Sequence, residues 1–175
     1  MRELPAPSNP LYALFREELG EAILRYVSSR EPAETVDYLA DLLVRFMHTD
    51  SIFRVEGRPL DSLSSLLESS DPMTAAIDTE REREIHRHVG DFLLFALGMY
   101  PPILREVRWR MGSDLVVDFP AQARQSYRIA SEISTTKTPP APEVLARLSE
   151  GLEDYTFTLS VLRERLLWNP HMGQA

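Results

Sequence analysis

The chain has 175 residues, with 27 acidic against 19 basic side chains, a net charge of -8 and no cysteine. That excludes disulfides, thiolate metal sites, iron–sulfur clusters and cysteine nucleophiles, and it disfavours a binder of phosphate backbones, so no nucleic-acid partner is expected. A hydrophobic content of 43% lies in the globular range, and a chain of this length can bury one core without staples.

The N-terminal MRELPAPSNP has no apolar segment of the secretory kind. The longest apolar stretch, Phe92 to Tyr100, is about half of a membrane span. We therefore expect a soluble, cytoplasmic protein without a membrane span, one domain over 1–175, and flexible ends at 1–8 and 170–175.

Prolines punctuate the chain. Asn9-Pro10 and Asp71-Pro72 each read as an N-cap followed by proline at the first helical position, where its missing N–H costs nothing. Pro32, Pro120 (with Asp118 nearby) and Pro142 open helices in a similar way, and Pro101-Pro102 ends one helix and begins another. Between these marks the apolar spacing is helical. Leu11, Leu14, Phe15, Leu19, Ile23, Tyr26 and Val27 make one stripe, and Val36, Leu39, Leu43, Phe46 and Met47 a second. LDSLSSLLESS reads as a short helix or turn.

A buried central helix is expected over about 72–99, followed by a short one from Ile103 to Met111. LVVDF, the single strand-like run, has no partner and reads as extended loop. Residues 121–134 are helical and rich in small side chains, which permits close helix approach. Residues 135–142 form a proline-rich linker.

A long last helix covers about 142–168. Its Leu145, Leu148, Leu152, Tyr155, Leu159, Leu162 and Leu166 alternate in steps of three and four, an unbroken heptad seam. Packing within its own bundle is favoured over a coiled-coil partner, with a homodimer left open. The expected fold is all-α, a single-domain bundle of five to six helices.

The segment EREIHRHVGDFLLFALGMYPPIL holds the chemistry worth weighing. Glu84, His88, Asp91 and Phe95 share one helix face, while Ile85, Val89, Phe92, Ala96 and Met99 make the core stripe. His86 points elsewhere and is expected to be exposed. Asp91 sits where a polar helix turns apolar all round, and a carboxylate there must be paired, hydrogen-bonded or neutral. The structural explanation pairs it with His88 or with an arginine of REVRWR (Arg105, Arg108 or Arg110), the role of those arginines being otherwise open. The functional alternative is a divalent metal held by Glu84, His88 and Asp91. No histidine has a glutamate three residues before it, which argues against a helical di-iron site. His88 is also the one plausible haem ligand, a weaker fit than the metal.

HVGDFLLFALGMYPPIL resembles a motif of bacterial helical proteins without an assigned activity: Gly-Asp, then Leu-Phe, then a glycine, an aromatic residue and a proline (GDxxLFxxGxxP). The resemblance covers roughly 20 residues, with a looser echo at SDLVVDFPAQARQSYRIAS, and implies that Gly90-Asp91 is a family feature while adding no chemistry. The preferred expectation is a non-catalytic module with a protein partner or self-association and no cofactor. A small metal- or cofactor-binding helical protein is the alternative.

Overall fold

The computed structural model describes residues 9–27, 31–47, 54–55, 58–59, 79–111, 117–133 and 139–168. Within them the chain is an all-helical bundle of seven helices: α1 (Pro10–Tyr26), α2 (Ala33–Met47), α3 (Thr79–Gly98), α4 (Pro102–Met111), α5 (Phe119–Glu132), α6 (Pro142–Glu150) and α7 (Leu152–Trp168). Two-residue strand segments, β1 (Arg54–Val55) and β2 (Arg58–Pro59), pair antiparallel with Arg54 opposite Pro59.

The caps act where the prolines announce them. Asn9 Oδ1 accepts the Leu11 N–H at 3.0 Å ahead of Pro10. Asp118 Oδ1 accepts the Ala121 N–H at 3.0 Å beside Pro120. Pro102 and Pro142 stand at the first positions of α4 and α6. Asp71-Pro72, LDSLSSLLESS, the start of the central helix before 79, residues 115–116 of LVVDF, residues 135–138 of the linker and both chain ends lie outside the described residues. Val117 and Asp118 are non-helical, as expected, while Phe119 already belongs to α5.

Seven helices stand where five or six were expected, because the long last helix is interrupted at Gly151. The interruption is local: the Gly151 N–H donates to Arg147 O at 2.8 Å and the Tyr155 N–H to Gly151 O at 3.1 Å. The heptad seam runs across it. Leu145, Leu148, Leu152, Tyr155, Leu159 and Leu162 are all buried inside the chain, with Leu166 partly buried against them. The seam is thus occupied by the bundle itself.

One core draws on all seven helices, and α3 is its centre, packing against α2, α4, α5 and α7. Two glycines make that possible. A Cβ at Gly90 would lie 2.8 Å from the Tyr127 ring of α5, and one at Gly98 would overlap the Leu159 side chain of α7. Ala123, Ser126 and Ala130 give α5 a buried small-residue face. Phe46 of α2 stacks on Phe95 at 5.2 Å between ring centroids and packs on Phe92 at 6.5 Å. No helix among the described residues is long and apolar enough to cross a membrane.

Candidate functional site, the Asp91 cluster

Asp91 lies on α3 one residue after Gly90, and the close approach of α5 that Gly90 permits brings Tyr127 over it. The carboxylate is 0% exposed. Four side chains from three helices surround it. Tyr38 of α2 and Tyr127 of α5 donate their hydroxyls to Oδ1 at 2.7 and 2.9 Å. Arg45 of α2 donates from both terminal nitrogens to Oδ2 at 3.2 Å, and Arg87, one turn back on α3, donates at 3.1 Å. A carboxylate offers about four lone-pair directions, and these donors take them.

The network continues outward. Arg87 also donates to both oxygens of Glu84, at 2.7 and 3.2 Å. Arg45 donates to Asp41, four residues before it, at 2.8 Å. Buried charges persist only when paired and fully hydrogen-bonded, and three carboxylates facing two guanidinium groups meet that condition. Burial alone would lower the pKa of both arginines. The charge of Asp91, with Asp41 beside Arg45 and Glu84 beside Arg87, outweighs it and holds both above the ordinary value. Burial and then the Asp91 charge push both tyrosine hydroxyls well up, so each stays protonated and donating.

Of the residues read from the sequence as a face, Glu84 and Asp91 are joined through Arg87. The cation between them is a guanidinium, where a metal would need open lone pairs. His88 instead turns its ring to Phe46, 5.9 Å between centroids. Among the described residues no three His, Asp or Glu side chains converge as a metal site.

Two expectations about this face need correction. Asp91 pairs with Arg45 and Arg87 rather than with His88 or REVRWR. Arg108 instead lies over the Phe119 ring at 5.3 Å and donates to Val117 O at 3.4 Å, and Arg105 is exposed. Arg110's side chain lies outside the described residues. His86 is 3% exposed rather than outward. Arg83, one turn earlier on the same face, is likewise fully buried and donates to Pro140 O at 2.5 Å, so that side of α3 faces protein and not solvent. Burial lowers the pKa of His86 against the opposing pull of Glu82.

The residues missed from sequence are Tyr38, Arg45, Arg87 and Tyr127. Arg87 carries a signal, standing three residues after Glu84 and four before Asp91. Arg45 carries a fainter one, a lone charge inside the apolar run LLVRFM. Tyr127 has none, because its partner is 36 residues away. No family model, curated protein or solved structure matches the chain.

Proposed function

We propose that the chain is a non-catalytic helical module that acts by binding another protein, with the Asp91 cluster as a structural clamp. The observation that carries this reading is the saturation of Asp91. A general base, nucleophile or metal ligand must offer a lone pair to something outside the protein, and this buried carboxylate gives its lone pairs to Tyr38, Tyr127, Arg45 and Arg87. The surface then holds what is left for function. Trp109 is 81% exposed and Phe157 52% exposed, and large exposed aromatic side chains are enriched where proteins meet.

The test is the metal content and visible spectrum of untagged protein, beside Glu84→Gln and His88→Ala variants that leave the Asp91 pairs in place. The expected result is no stoichiometric metal and no absorption band in any of the three. Near-stoichiometric metal, or a band, that disappears in either variant overturns the reading in favour of a metal or cofactor protein using Glu84, His88 and Asp91.

A further inference from the structure

Between Val89 and Gly98, α3 is buried at every position except Leu97. Two adjoining clefts open over that side chain, sharing Leu97 and Pro120 as common floor. One, of about 300 Å³, runs towards α4 past Leu104 and Phe119 to Arg105 and Arg108. The other, of about 330 Å³, runs towards α7 past Leu152 to Phe157. Together they form an apolar trough with an aromatic side chain at one end and two arginines at the other.

The charge of that trough is specific. Asp118 and Glu153 also border it and keep their charge, Asp118 turned to the N-terminus of α5 and Glu153 paired with Arg124, so that three guanidinium groups stand against two carboxylates. Arg105 is exposed, and Arg108 lays its guanidinium across Phe119 at the surface. Trp109, four residues after Arg105 and so on the same side of α4, extends the arginine rim with an exposed aromatic surface. In a chain of net charge -8, this rim presents positive charge beside apolar floor.

We propose that the trough docks an acidic amphipathic segment of a partner protein, with its large apolar side chains over Leu97 and Phe157 and its carboxylates against Arg105 and Arg108. This rests on the binding-module reading above and names the chemistry of the partner. A groove between helices takes an apolar stripe, and rim charges choose the partner and its direction more than they add affinity.

Two labelled peptides of about fifteen residues test it, each with Leu and Phe at helical spacing, one flanked by Glu and the other by Lys. Binding to the full chain and to an R105E/R108E variant is read by fluorescence anisotropy, with light scattering of the protein alone. The Glu peptide is expected to bind the wild type, and to bind the variant roughly tenfold more weakly, the worth of about two exposed ion pairs. The Lys peptide is expected to gain on the variant, a rescue that misfolding could not produce. Equal binding of the two peptides to the wild type, binding of neither, or a dimer of the protein that the variant abolishes overturns the proposal. Peptide failure in a metal-free protein removes this surface alone, whereas metal on Glu84, His88 and Asp91 removes the binding-module reading itself.

Discussion

Asp91→Asn keeps the shape of the buried side chain while withdrawing its charge from between Arg45 and Arg87. Each arginine retains one carboxylate, Asp41 or Glu84, but both lose the buried one. Breaking a buried pair in this way costs about 3–5 kcal/mol. Tyr127→Phe removes a single hydrogen bond to a charged acceptor, about 1.5–3 kcal/mol. Urea unfolding should place the two variants in that order below the wild type, and an Asp91→Asn midpoint equal to the wild type would exclude the clamp. His86 adds a pH signature. Its folded pKa is lowered by burial, so below the ordinary histidine value of about 6.5 the unfolded chain binds a proton that the folded chain refuses. Stability is therefore lost as pH falls through that region. His86→Asn should shrink the difference in unfolding midpoint between about pH 7.5 and about pH 5.5; an unchanged difference would assign the loss to other groups.

For the helices, the informative comparison is between glycines. An alanine in a helix interior gains about 1 kcal/mol over glycine. At Gly20 of α1 an added Cβ meets nothing within 4 Å, so Gly20→Ala should stabilise by up to about that amount. At Gly98 the same Cβ overlaps Leu159. Forcing α3 and α7 apart costs about 1–3 kcal/mol, which exceeds the gain, so Gly98→Ala should destabilise. Thermal melts of the two variants should move in opposite directions. The elements themselves are legible in the sequence wherever a local cause sets them: Asn9-Pro10 and Asp118 cap helices, and the Leu145–Leu162 seam marks a buried stripe. The break at Gly151 is less legible, because both neighbouring turns keep the same apolar register across it.

On the scale of the molecule, composition and periodicity are enough to read an all-helical bundle with a buried helix near its centre. They do not say which helix faces which. α3 is apolar over nearly its whole circumference beyond Asp91, so its pattern names no neighbour for each side. The two tyrosine partners of Asp91 come from α2 and α5, 53 and 36 residues away, and pairings at such distances leave no trace in local spacing. The expected exposure of His86 fails for the same reason, since its side of α3 is set by non-local packing, as in the reach of Arg83 to Pro140, 57 residues along the chain.

The same arrangement shapes how the chain reaches its native state. The Glu84–Arg87–Asp91 ladder can form inside α3 alone, whereas Tyr38, Arg45 and Tyr127 arrive only after loops of 36 to 53 residues have closed. Hydrophobic collapse could dock a helix this apolar in several rotations at similar gain. Only the native rotation gives the Asp91 carboxylate its full set of donors; every other one strands a charge out of water, at a cost of several kcal/mol. Asp91 thereby sets which rotation of α3 is lowest in free energy, a choice its apolar circumference leaves open.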